Sequence, residues 1–242
     1  MPYFDWMLVV NDPEDAERIL RTHVKKSVLY GAAFLGDGVL STNKNDYWIN
    51  QRKHLQEAFF PNSVFAHQVF PKSLARAKYA ARELLASQCR DGPPVVEINE
   101  FLLNEAMAQL QLALIGESQE FMDRTNKSIR TTFANIFTPE PQVSNYLAKV
   151  SACRREIHAW SNEILANEPQ GPLGKLLVTN CPAIDDAKMR RDAVSTFGFA
   201  GHDTTANLMT WCLYEVCQNT GITKRLRALA ARDSVGSANA KS

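Results

Sequence analysis

The sequence predicts a mainly α-helical protein, and three observations support this. Between proline and glycine breaks, apolar residues recur at three- and four-residue steps, the period of an amphipathic helix. The period-2 alternation that is typical of strands is scarce. A proline-free stretch from Asp185 to Asn219 would, as one helix, be about 50 Å long. We therefore expect an all-α or nearly all-α fold.

Proline, glycine and capping residues divide the chain into successive helices. The run Asn11-Asp12-Pro13 is typical of a helix start, and Gly116 of a helix end. Asn45 or Asp46 can cap a second helix, and Asp185 and Asp186 suit the positive end of the long one. Glycines at 31, 36 and 38 predict a loop. The predicted helices cover 14–23, 45–60, 73–88, 96–115, 121–137, 146–167, 185–219 and 221–232, with a short apolar piece at 175–179.

The composition excludes several classes of protein. Of 242 residues, 45% are hydrophobic and 22% are charged, which excludes a disordered tail. A net charge of +1 gives no overall basic surface, so nucleic acid is not an expected partner. The five cysteines form no C-x-x-C pair, so neither a disulfide framework nor a zinc site is indicated. No stretch approaches the about 18 apolar residues that a membrane span requires.

The least helix-favouring stretch of the long predicted helix is 197–206, which contains two glycines. An apolar stripe along this helix includes Thr204, and we expect it to face inward; its members are Ala193, Phe197, Ala200, Thr204, Leu208 and Trp211. The Thr204 hydroxyl can bond back to the carbonyl near position 200, and with Asp203 it could form a proton relay. Alternatively, Gly201 only allows close helix packing and the threonines satisfy backbone carbonyls.

Two motifs resemble the cytochrome P450 family of haem-thiolate monooxygenases. Residues 200–205, Ala-Gly-His-Asp-Thr-Thr, resemble the family's I-helix motif. Trp48 and Arg52, four residues apart and so on one helix face, resemble its C-helix Trp-x-x-x-Arg. Taken alone, that pair would read as a surface cation–π contact. The order of the remaining segments resembles the family's B to J helices.

The resemblance implies a haem-dependent activity and a set of site residues. Ala200 and Gly201 would flank the haem, and Trp48 and Arg52 would donate to a haem propionate. Asp203 and Thr204 would be the catalytic residues that manage protons. The implied partners are O2, a lipophilic substrate such as a fatty acid or related lipid, and an electron-donating reductase. The implied substrate roof comprises Phe34, Leu35, Val39 and residues 133–137.

The sequence departs from the family pattern in ways that limit these expectations. It has neither the Glu-x-x-Arg motif nor the cysteine loop that ligates iron, so we identify no metal ligand and expect the isolated chain to be inactive. The family's N-terminal strands and anchor are also missing, so we expect a partial cytochrome P450 fold over 1–232 and a disordered tail at 233–242. The expected parent is an endoplasmic reticulum membrane protein, whereas this chain would be soluble and cytoplasmic. The alternative is a non-catalytic helical protein that retains a remnant of the fold.

Overall fold

The computed structural model describes residues 9–22, 25–59, 61–87, 96–179 and 186–239, without the side chains of 61–63, 87 and 232–239. This part of the chain contains no strand, so the mainly α-helical prediction is confirmed. Its α-helices are α1 (Pro13–Thr22), α2 (Val28–Tyr30), α3 (Asn45–Leu55), α4 (Phe70–Ser87), α5 (Ile98–Gln109), α6 (Gln119–Phe137), α7 (Val143–Ala166), α8 (Pro172–Val178), α9 (Ala187–Gln218) and α10 (Thr220–Asn239). Shorter helical segments are the 3-10 turn Gln56–Phe59 and the π-helical segments Gly31–Leu35, Pro61–Val69 and Leu110–Ile115.

Local sequence signals account for several of the helix ends. The Asp12 side chain accepts hydrogen bonds from the Glu14 and Asp15 amides at 3.0 and 2.9 Å, and so caps α1. Asp186 caps α9 by accepting from the Lys188 amide at 2.8 Å. Gly116 ends the segment after α5 in the left-handed region, with φ 89°. The predicted Asn45 or Asp46 cap is wrong: Lys44 occupies the cap position and makes no side-chain hydrogen bond there.

Helix α9 passes through the core, and its first half is buried on several sides. Ala193 and Val194 are fully buried among the apolar side chains of α5, α6 and α7. Gly198 allows the closest approach, because a Cβ atom there would lie 2.7 Å from Cη2 of Trp160 on α7. A glycine in mid-helix costs about 0.5–1 kcal/mol relative to alanine. In return, Gly198 allows the Trp160 ring to pack directly on the helix backbone.

The segment after α2 differs from its prediction. Instead of a loop from position 31, a π-helical turn continues α2 to Leu35, and Phe34 and Leu35 are each 1% exposed. Burial of two large side chains outweighs the helix-weakening effect of Gly31. The break comes at Gly36, whose φ is 54° and where a Cβ atom would lie 2.0 Å from Oδ2 of Asp192. This segment therefore rests directly on α9.

Three further sequence predictions concern the C-terminal tail, the ends of four helices and a membrane span. The backbone of α10 is helical to Asn239, where the sequence predicts a disordered tail from 233 onward. The predicted helix ends at residues 23, 60, 88 and 185 lie outside the described residues. Among the helices of the described part, none is both long and apolar enough to cross a membrane.

Candidate functional site on helix α9

The motif 200–205 lies in mid-helix, but its side chains face differently from the prediction. Thr204 is exposed, and Leu208 and Trp211 farther along the predicted inward stripe are 66% and 65% exposed. The buried positions are instead Gly198, His202 and Ala206. The inward stripe is thus wrong from Thr204 onward, because α5, α6 and α7 cover the side of α9 that carries this second set.

The predicted back-bond of Thr204 is confirmed. Its Oγ1 donates to the Ala200 carbonyl at 2.9 Å. The same bond recurs on α9 at Thr196 and Thr210, at 2.7 and 2.9 Å, so it is the general way in which this helix satisfies threonine hydroxyls. The bond by itself therefore fits both the proton relay and its structural alternative.

Asp203 and Thr204 bond to different neighbours. Nδ2 of Asn207 donates to the Asp203 carbonyl oxygen at 2.9 Å and to its Oδ1 at 3.2 Å. Both side chains are exposed, and the described contacts contain no hydrogen bond between them. The acid and the hydroxyl are neighbours on the helix, and a relay between them would need a bridging water.

One side of the motif borders a cleft of about 390 Å³ between α5, α6 and α9. The cleft combines an aromatic wall with charged groups; its lining includes Glu100, Arg130, Phe133, Phe137, Phe199, His202 and Asp203. Arg130 donates to Glu100 at 2.7 Å. Sequence reasoning did not identify Arg130 or His202 as part of this site. Arg130 belongs to no recognised motif, and His202 stands at the position of the I-helix motif where any residue is allowed.

His202 is the most buried ionisable group of this cleft, at 4% exposure. Its Nδ1 lies 2.7 Å from the Gly198 carbonyl oxygen, which can only accept, so Nδ1 carries the proton. Burial lowers the pKa of His202 more than this hydrogen bond raises it. The imidazole is therefore neutral at pH 7, and its Nε2 is an acceptor.

The other side of the motif borders an apolar groove of about 570 Å³ between α4, α5 and α9. Gly201, Thr205 and Met209 contribute to it from α9. A Cβ atom at Gly201 would lie 3.4 Å from the methyl carbons of Leu110, which is an ordinary van der Waals distance. Gly201 therefore packs beside Leu110 at a distance that would also accommodate a methyl group, while Asp203 borders the opposite cleft.

Trp48 and Arg52 form the cation–π contact that their spacing suggested. The Arg52 guanidinium carbon lies 5.2 Å from the Trp48 ring centroid, and Lys26 Nζ lies 5.6 Å from that centroid. Neither residue reaches 200–204 through a hydrogen bond or ring contact among the described residues. A stacked ring pair, Phe59 on Phe197 with centroids 5.8 Å apart, connects the turn after α3 to α9.

The predicted substrate roof is an aromatic cluster over α9. Phe34 lies with its centroid 5.1 Å from Phe199 and 5.8 Å from Phe133. Phe137 stacks on Phe199 at 5.6 Å. The structure thus brings Phe34 and residues 133–137 together, as the resemblance implied, and adds Phe199 from α9 itself.

The described residues contain no group of three His, Cys, Asp or Glu side chains arranged to hold a metal ion. Cys153 is buried in the core, and Cys212 and Cys217 are exposed. Cys89 and Cys181 lie outside the described residues.

Comparison with known proteins supports the resemblance. No family model matches the chain. It is 24% identical over 267 aligned residues to cytochrome P450 97B1, chloroplastic, of Pisum sativum, covering 91% of this chain and 48% of the relative. Cytochrome P450 97B2, chloroplastic, of Glycine max is also 24% identical, with 91% of this chain and 46% of the relative covered. The word chloroplastic in both names does not support the endoplasmic reticulum expectation.

The fold comparison agrees. The haem domain of a cytochrome P450DA mutant superimposes with a TM-score of 0.65 at 17% identity, over 90% of this chain and 51% of that domain. The chain spans about half the length of the relatives that it matches. In sequence the chain is therefore similar to cytochrome P450 proteins, and it has the cytochrome P450 fold over about half the length of its matched relatives.

Proposed function

We propose that the chain forms the part of a haem-dependent monooxygenase that faces the O2-binding side of the haem, and that the enzyme hydroxylates a lipophilic substrate such as a fatty acid or related lipid. The single observation that carries this proposal is the match to cytochrome P450 proteins over 91% of the chain, which includes the α9 motif. O2 and an electron-donating reductase would be the partners. Residues 1–232 would be the part of the domain that this chain supplies.

The residues on α9 and α3 suit the face and rim of a haem. Ala200, Thr204, Leu208 and Trp211 recur at three- and four-residue steps along α9, and the last three are exposed. A flat apolar macrocycle would cover such a face. Arg52 is exposed on α3 and offers guanidinium donors that suit a propionate.

The residues present fit the haem's face and carboxylates, but none of the cysteines lies in the sequence context of the family's iron-ligating loop. When bound, haem supplies the activation of O2 that allows one oxygen atom to enter a C–H bond. Trp48 and Arg52 would hold the propionates. Ala200 and Gly201 would let the macrocycle lie close to the helix backbone.

Proton handling would belong to Asp203 and Thr204. Asp203 is exposed, so its carboxylate can exchange protons with solvent. Thr204 holds its proton at Oγ1, which at present donates to the Ala200 carbonyl. The aromatic cluster of Phe34, Phe133 and Phe199 would exclude water and favour an apolar substrate.

A haem titration of the purified full chain, followed by tryptophan fluorescence quenching, tests this proposal. We expect saturable binding that weakens about tenfold in Arg52→Ala, because a hydrogen bond to a charged group contributes about 1.5–3 kcal/mol. Lys53→Ala removes the same charge from the next residue of α3 and should bind like the parent. Equal affinities in the two variants would remove Arg52 from the site.

The absorption spectrum of the carbon monoxide complex tests the expected lack of a thiolate ligand, and haem binding itself separates the proposal from its alternative. Since no thiolate with the family's context is present, we expect the chain alone to show no thiolate-type band and no monooxygenase activity. A folded chain that binds no haem at all would instead favour the non-catalytic helical protein. A thiolate-type band would show that one of its cysteines does ligate iron.

A further inference from the structure

A second cleft, of about 560 Å³, lies away from the motif between residues 28–44, α7 and α9. Its walls are rich in basic side chains: Arg154 and His158 come from α7, Lys188 and Arg191 from α9, and Lys44 from the residue before α3. The volume is in the range of small-molecule sites, about 300–1,000 Å³. The proposal above makes no use of this cleft.

The two carboxylates of the cleft are already occupied by internal partners. Asp192 is fully buried, and its oxygens accept from the Asp37 amide at 3.0 Å, from Lys188 Nζ at 2.7 Å and from Arg191 Nη2 at 3.1 Å. Asp37 pairs with Lys44 at 3.1 Å and with Lys188 at 3.4 Å. Four cationic side chains therefore face two carboxylates, an excess of two positive charges.

Two groups in the cleft retain unused hydrogen-bonding capacity. Arg154 is exposed and, among the described contacts, donates only through Nη1 to the Ala32 carbonyl at 3.0 Å, although a guanidinium has five N–H donors. Nε2 of His158 is buried and has no hydrogen-bond partner in the described structure. Buried nitrogens without a partner are uncommon in native structures, so a further hydrogen-bond partner at this position would be favourable.

The charges around His158 favour the binding of an anion in this cleft. Burial is the main cause of the lowered pKa of His158, and the positive charge of Arg191 is the next. A hydrogen bond to the Phe34 backbone and the Asp192 charge oppose these effects, and Arg154 lowers the pKa by a smaller amount. A bound anion would offset the two arginines. It would also accept a hydrogen bond from Nε2 of the protonated ring.

We propose that this cleft binds the phosphate group of a small anionic ligand, with Arg154 and Lys44 as the contacting cations and His158 Nε2 as a further donor. A dianionic phosphate matches the excess of two positive charges, which a single carboxylate would not. The planar fork of an arginine also suits phosphate oxygens. The remaining volume of the cleft would hold the rest of the ligand.

Calorimetric titration of the full chain with inorganic phosphate tests the site, with acetate as the monoanionic comparison. We expect saturable phosphate binding, weaker acetate binding, and a phosphate affinity lower by about tenfold in Arg154→Gln. Arg155→Gln is the matched control, because Arg155 is the next residue of α7, is exposed and donates to Ser151 at 3.2 Å, outside the cleft. Phosphate should also raise the pKa of His158, followed by its ring resonances in NMR.

Two results would overturn the proposal: no saturable phosphate binding, or the same loss of affinity in Arg154→Gln and Arg155→Gln. Lys44→Gln provides a second test, since the Lys44 side chain is 67% exposed and its loss should not unfold the chain. An unchanged affinity in that variant would remove Lys44 from the site. The titration contains no haem, so its outcome is independent of the monooxygenase proposal.

Discussion

Two glycines three residues apart on α9 should respond in opposite directions to the same substitution. In Gly198→Ala, the new methyl group would lie 2.7 and 2.8 Å from two carbons of the Trp160 ring. Favourable carbon contacts lie at about 3.5–4.0 Å, so the ring or the helix must move by close to 1 Å. Trp160 is 5% exposed and packs against Phe133, which leaves it little room.

The expected free energies follow from these distances. Overpacking of a core costs about 1–3 kcal/mol, and alanine recovers about 0.5–1 kcal/mol of helix preference relative to glycine. With an overpacking cost at the middle of that range, about 2 kcal/mol, Gly198→Ala should lower the free energy of unfolding by about 1–1.5 kcal/mol. In Gly201→Ala the methyl group meets Leu110 at 3.4 Å, an ordinary contact, so the helix preference remains as a gain of up to about 1 kcal/mol.

Thermal unfolding and urea titration of the two variants and the parent provide the measurement. For chains of this size, 1 kcal/mol corresponds to about 2–4 °C in Tm, so Gly198→Ala should melt several degrees below Gly201→Ala. A Gly198→Ala variant as stable as the parent would refute the close packing of Trp160 on α9. A destabilised Gly201→Ala variant would refute the looser packing at Leu110.

The remaining predictions concern a buried charge and a buried imidazole. Asp192→Ala should lower the free energy of unfolding, measured by urea titration, by about 2–3 kcal/mol, because Lys188, Arg191 and the Asp37 amide lose their acceptor. Asp203 is exposed on the same helix, so Asp203→Ala should change this free energy by less than about 0.5 kcal/mol. Because the pKa of His202 in the folded chain is below its ordinary 6.5, the unfolded chain binds the extra proton, and stability should fall as the pH decreases through and below 6.5. His202→Gln should reduce the loss measured between pH 7.5 and pH 5.5; an unchanged pH dependence would contradict a buried neutral imidazole.

The helices and several of their ends could be predicted from the sequence because their causes are local. Asp12 and Asp186 lie within three residues of the amides that they cap. Gly116 adopts the left-handed conformation because glycine has no Cβ atom to oppose it. The motif and the Thr204 back-bond also depend on residues within one helical turn. Such signals require no knowledge of the rest of the fold.

Only the tertiary structure decided which side of α9 faces the core. Apolar residues occur on all sides of this helix. The stripe through Thr204 and Leu208 and the stripe through Gly198 and Ala206 therefore both have helical spacing, and the sequence does not distinguish them. Packing of Trp160 on Gly198 selects the second. Long-range contacts likewise made the first part of the expected loop, 31–35, helical. The turn that follows it rests on Asp192, whose carboxylate accepts from the Asp37 amide 155 positions away. Local sequence determines the elements, whereas contacts between distant residues determine which faces of those elements become a site.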